Sequence, residues 1–123
     1  MGKATNYIKT LHKFMNEFAP AFVNNNVPEG QEFPYITYNI DMEDYFQDGV
    51  LQITIYTNSN FFVEVAGLVD AITEKLGHGY KLEMEGGGYI YLKPNGSNFE
   101  LFVDEDNKNH KNAYLVYDKQ IFN

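Results

Sequence analysis

The chain contains no cysteine and no arginine. Without cysteine there is no disulfide framework, no thiolate metal site and no thiol nucleophile. Without arginine the guanidinium fork that favours phosphate recognition is missing, and a net charge of −8 supplies no cationic face. DNA and RNA are therefore not expected partners. Serine is confined to Ser59 and Ser97, neither in a nucleophile-elbow pattern, so acyl transfer has no visible nucleophile. No apolar run approaches the length of a membrane span, and no membrane partner is expected. The N-terminus alternates lysine with Tyr7, Ile8, Leu11 and Phe14 and lacks the continuous apolar core of a secretory signal. The expectation is a soluble intracellular protein.

What remains is an ordinary globular composition with a heavy aromatic load. Apolar residues make up 44% of the 123 positions and charged residues 21%, which fits one folded domain over residues 1–123. A chain of this length buries roughly two-thirds of its unfolded surface. Ten tyrosines accompany ten phenylalanines, and tyrosine suits surfaces that are partly packed and partly wet. Charge is uneven. Residues 1–23 and residues 108–123 each carry +2, which leaves −12 between them against the total of −8. Basic ends and an acidic middle favour head-to-tail self-association, although solvated surface charge explains the same pattern.

Ile8, Leu11, Met15 and Phe18 recur at helical spacing, with Thr5 or Asn6 as a cap and Pro20 as the stop. A loop rich in asparagine follows over 24–30. Pro34, Ile36, Tyr38 and Ile40 share one face of the next strand, where proline implies an edge or a strand start. Residues 41–49 hold Asp41, Glu43, Asp44 and Asp48 around Tyr45-Phe46 and read as a hairpin loop. Leu51, Ile53 and Ile55 then form one buried strand face. Asn58-Ser59-Asn60 leads into a helix over 61–76 with Val65, Leu68, Ile72 and Leu76 as its packed stripe. Gly77 suits its C-terminal cap, and Ala66-Gly67 would admit another backbone.

Beyond that helix the pattern is β. Tyr80, Leu82 and Met84 alternate, Gly86-Gly87-Gly88 bends, and Tyr89 to Leu92 is followed by a turn at Pro94-Asn95-Gly96. Phe99, Leu101 and Val103 alternate, a polar loop spans 104–112, and the last strand runs from Ala113 to Tyr117, with extension to Phe122 as the alternative. The fold expected is α+β: a mainly antiparallel sheet with two helices on one face.

The chemistry-bearing residues do not converge in sequence. His12, His78 and His110 fall on a helix, a turn and a polar loop. Two acidic runs resemble the start of a calcium loop, but Lys108 and Tyr45 stand where the fifth position needs a ligand oxygen. The glycine triplet precedes a β-rich run, unlike a phosphate cradle, which opens a helix. No cofactor, metal or catalytic residue is expected.

The order of the Phe33-Pro34-Tyr35-Ile36-Thr37-Tyr38 strand, the Ile53-Thr54-Ile55-Tyr56 strand and the helix holding Val63-Glu64-Val65-Ala66-Gly67-Leu68-Val69-Asp70-Ala71-Ile72 resembles the tail-completion (tail terminator) proteins of long-tailed bacteriophages. With the N-terminal helix, the resemblance covers about half the chain. It implies a structural virion protein with no enzymatic activity. Such proteins assemble in the host cytoplasm as a ring, usually of six copies. The ring caps the head-proximal end of the tail tube, stops tube elongation and offers a surface to the head-tail connector. Self, tail tube protein and connector are the implied partners. Asp41, Glu43, Asp44, Tyr45, Phe46 and Asp48 in one loop and Asp104, Asp106, Lys108, His110 and Lys111 in the other are the expected interface residues. A head-completion adaptor or a small intracellular binding module is the alternative.

Overall fold

A computed structural model describes residues 2–40 and 49–122. The elements are α1 (Lys3–Met15), β1 (Ala21–Val23), β2 (Tyr35–Tyr38), β3 (Gly49–Tyr56), α2 (Val63–Leu76), β4 (Tyr80–Glu83), β5 (Tyr89–Val103) and β6 (Lys111–Phe122). They form one six-stranded sheet in the order β1-β2-β3-β6-β5-β4. Among the described residues only β1 and β2 run parallel, and the other pairs are antiparallel. The fold is the expected α+β arrangement.

Register assigns the faces. Ile36 pairs with Ile55, Tyr38 with Ile53, Leu51 with Tyr117 and Leu115 with both Ile53 and Phe99. Opposed residues in an antiparallel pair point the same way, and these side chains, apart from Phe99, are fully buried. The same core takes Tyr7, Leu11, Phe14 and Met15 from α1 and Val65, Val69, Ile72 and Leu76 from α2. Both helices therefore cover one face of the sheet. Phe14 stacks on Tyr80 at 5.5 Å between centroids, tying α1 to β4. Tyr38 hydroxyl and His12 Nδ1 share a 2.8 Å hydrogen bond, tying α1 to β2. Burial pushes the Tyr38 hydroxyl up to about 12.

The helices depart from expectation in register. On α1 the buried side chains are Tyr7 and Phe14 in place of Ile8 and Phe18; Ile8 is 41% exposed, and Phe18 lies past the helix end, partly buried against the core. The helix starts at Lys3 after Gly2, not at a Thr5 or Asn6 cap, and stops at Met15. At the end Asn16 Nδ2 donates to the His12 carbonyl at 2.8 Å, and its side-chain oxygen accepts the Ala21 N–H at 3.0 Å, which joins the helix end to β1. On α2 the stripe passes through Val69, with Leu68 only partly buried. Gly77 caps α2 with φ of 53°, a conformation that favours glycine. Gly67 is exposed with open space where a Cβ would stand, so among the described residues no other backbone approaches it closely.

The strands differ in two places. Residues 21–23 form β1, which is too short to show a period in the sequence, and Pro34 directly precedes β2, the strand-start option. Pro94-Asn95-Gly96 does not divide two strands. Pro94 pairs with Tyr117 and Phe99 with Leu115, so residues 95–98 bulge opposite Val116 inside one long β5. Gly96 (φ 57°) and Asn98 (φ 74°) supply the left-handed backbone the bulge requires. Asn98 Nδ2 then donates to the Tyr117 hydroxyl at 3.3 Å. Tyr117 itself is fully buried in the core.

Candidate interface on the open face and its hairpin

The sheet face opposite the helices carries alternate residues of the same strands. Tyr35 pairs with Tyr56 and Thr37 with Thr54 on this side. Tyr35 and Tyr56 stack at 4.9 Å between centroids, and Phe33 and Phe22 pack on Tyr35 at 5.3 and 6.5 Å. All four rings are half-buried. Beside them Asn24, Asn25, Val27, Thr37 and Thr54 line a shallow depression of about 420 Å³. Burial raises the Tyr35 hydroxyl pKa, helped by Tyr56 and Asp104 nearby.

Residues 104–110 connect β5 to β6 as a hairpin held by its own side chains. Asp104 Oδ1 accepts the amides of Asp106 and Asn107 at 2.9 and 3.2 Å, and Asp104 Oδ2 accepts Asn112 Nδ2 at 2.9 Å. This is the local capping for which aspartate suits turns. Partial burial works to raise the Asp104 carboxyl, but those donors and the charge of His110 together hold it below the usual carboxylate range. The Asn109 amide donates to Asn107 Oδ1 at 3.1 Å, and Lys111 Nζ donates back to the Lys108 carbonyl at 2.7 Å. The hairpin is also fixed to the body. Thr57 Oγ1 donates to the Lys111 carbonyl, the Thr57 amide to Asn112 Oδ1, and His110 packs edge-on against Phe33 at 5.0 Å.

The structure thus brings Asp104, Asp106, Lys108, His110 and Lys111 into one rigid turn beside an aromatic surface. Their roles within it differ. Asp104, His110 and Lys111 face inward on hairpin or body contacts, whereas Glu105, Asp106, Lys108 and Asn109 form its exposed tip. Asp41, Glu43, Asp44, Tyr45, Phe46 and Asp48 lie outside the described residues. Gly49 pairs with Lys119, at the far end of β3 from the 104–110 hairpin. The aromatic partners Phe22, Phe33 and Tyr56 were not among the expected interface residues. Their signal was the aromatic-proline run at Phe33-Pro34-Tyr35, which reads equally well as a strand start.

The other chemistry-bearing groups stay apart. His12 bonds Tyr38 on the helix side, His78 follows α2, and His110 sits on the hairpin. Among the described residues no group of three or more His, Asp or Glu side chains is placed to hold a metal. Both oxygens of Asp104 are turned onto loop donors. Among the described residues no helix is long and apolar enough to cross a membrane. Two further clefts, of about 260 Å³ between α1 and β4 and about 390 Å³ beside Val50 and Lys93, are open and lined largely by polar side chains. Comparison with protein-family models and with curated protein sequences finds no match.

Proposed function

We propose that this chain is a non-enzymatic structural protein that assembles with copies of itself on the head-proximal end of a phage tail tube, ends tube growth and helps join tail to head. The supporting observation is the 104–110 hairpin held by its own side chains, which sets a charged tip beside an aromatic sheet face opposite both described helices. Pre-ordered polar turns lose little entropy on docking, and half-buried tyrosine and phenylalanine suit interfaces that must also tolerate water. The strand–strand–helix order that resembles tail-completion proteins gives this surface its proposed partners: neighbouring copies, the tube protein and the connector. A small-molecule binding module draws less support, because the clefts described are open and of mixed polarity where a ligand pocket is concave and mostly apolar.

The tip is the place to test this reading. Removing the hairpin would also remove the His110–Phe33 contact and the Asp104 bond to Asn112, so truncation would confuse folding with assembly. Asp106→Lys combined with Lys108→Glu changes only exposed charges. The double variant is expected to keep the wild-type melting temperature while lowering the yield of infectious particles roughly tenfold or more, the size of a moderate interface defect. Undiminished yield would remove the hairpin tip from the assembly surface.

A further inference from the structure

We infer that the 99–103 segment of β5 is a self-complementary edge through which two copies of this chain pair, antiparallel and about a two-fold axis at Leu101. The inference does not depend on the phage reading.

Strand β5 is bordered on one side by β6, whereas β4 covers its other side only at residues 89–92. The next stretch of that edge carries devices that discourage strand addition: Lys93, Pro94 and the bulge at 95–98. They end at Phe99. From there Phe99-Glu100-Leu101-Phe102-Val103 runs as regular strand, with Glu100 its one charge. Phe99, Leu101 and Val103 lie opposite Leu115, Ala113 and Lys111, so they continue the core-facing side of the sheet. Yet Phe99 is 49% exposed, and Leu101 and Val103 are also exposed. The start of α2 adjoins this stripe. Lys111, opposite Val103, holds its amine 5.8 Å from the Phe62 ring, and the neighbouring Phe61 and Val63 are 73% and 82% exposed.

A second copy fits this edge better than any other edge of the fold. The outer side of β1 is short, and the Asn16 side chain engages both the Ala21 N–H and its carbonyl. Strand β4 has four residues, including Lys81 and Glu83. Pairing 99–103 with itself in parallel register would set Glu100 against Glu100, which is unfavourable. Antiparallel pairing about Leu101 instead sets Phe99 opposite Val103, Leu101 opposite Leu101, and Glu100 opposite Phe102. Apolar side chains then meet on the helix side along the whole contact, an isologous arrangement. At roughly 150–200 Å² per large side chain, the exposed parts of Phe61, Phe62, Val63, Phe99, Leu101 and Val103 come to about 600 Å² per copy. The pair would bury about 1,200 Å², the lower end of specific interfaces. That size matches a reversible dimer.

The absence of native cysteine gives a direct test. Leu101→Cys is expected to form a disulfide-linked dimer under mild oxidation, because the two copies of position 101 face each other. Val50→Cys, exposed on the opposite sheet face, is expected to stay uncrosslinked. Sedimentation velocity of the wild-type chain should show a dimer that dissociates on dilution into the micromolar range. Leu101→Lys should weaken it by roughly 100-fold with an unchanged melting temperature. A wild-type chain that is monomeric at every concentration would overturn the proposal. So would an oligomer indifferent to Leu101→Lys, or equal crosslinking at positions 50 and 101.

Discussion

Replacing Leu115 with alanine is expected to cost about 3–4 kcal/mol, a large part of the roughly 5–15 kcal/mol that stabilises a domain of this kind. Leu115 is fully buried on β6, the strand with β3 on one side and β5 on the other. It stands opposite Ile53 and Phe99, beneath the helix layer, so its loss opens a cavity that the flanking ladders keep from collapsing. The matching control is Ile8→Ala. Helical spacing alone places Ile8 in the core, but the structure leaves it 41% exposed, so its truncation should change stability by less than about 0.5 kcal/mol. Urea denaturation with an unchanged m-value separates the two. A large loss at Ile8 and a small one at Leu115 would mean that α1 and the sheet are packed in another register.

Asp104→Ala is expected to destabilise the chain at pH 7 by about 1–2 kcal/mol, reduced from the sum of its hydrogen bonds by solvent screening at a partly exposed carboxylate. The variant leaves the Asp106 and Asn107 amides and the Asn112 side chain without their acceptor. The pH dependence carries a definite sign. The folded-state pKa of Asp104 is depressed below its unfolded value. Its contribution is therefore fully present above the unfolded pKa, near 3.9, and is lost as pH falls through the folded one. Wild type and Asp104→Ala should differ most near neutrality and converge in acid. Stability curves that stay parallel from pH 7 to pH 2 would show that the carboxylate charge contributes nothing to the hairpin.

Sequence carried the fold further than it carried the surface. Alternation at Leu51, Ile53 and Ile55 and the run into Gly77 were enough for a strand and a helix end, because those signals are local. Tyr7 and Ile8 show where locality fails. Both positions complete a helical stripe with Leu11, and tertiary packing buries the Tyr7 face, on which Phe14 also stacks against Tyr80. Turn residues at Pro94-Asn95-Gly96 were legible, but a bulge uses the same residues as a turn, and pairing with β6 decided between them. Strand β1 was too short for periodicity and exists through its pairing with β2 and the Asn16 side chain. For the candidate interface, composition marked 104–112 as a polar loop. It could not show that Thr57 and Phe33, distant in sequence, hold that loop in place. Nor could it show that Phe99, Leu101 and Val103 would stay exposed on the core-facing side.

Electron microscopy of a lysate from the source that encodes this chain, with its gene deleted, tests the proposed function most directly. The account predicts separate filled heads together with abnormally long, headless tails, restored to joined particles when the chain is supplied. Normal, infectious particles without it would contradict a tail-terminating role.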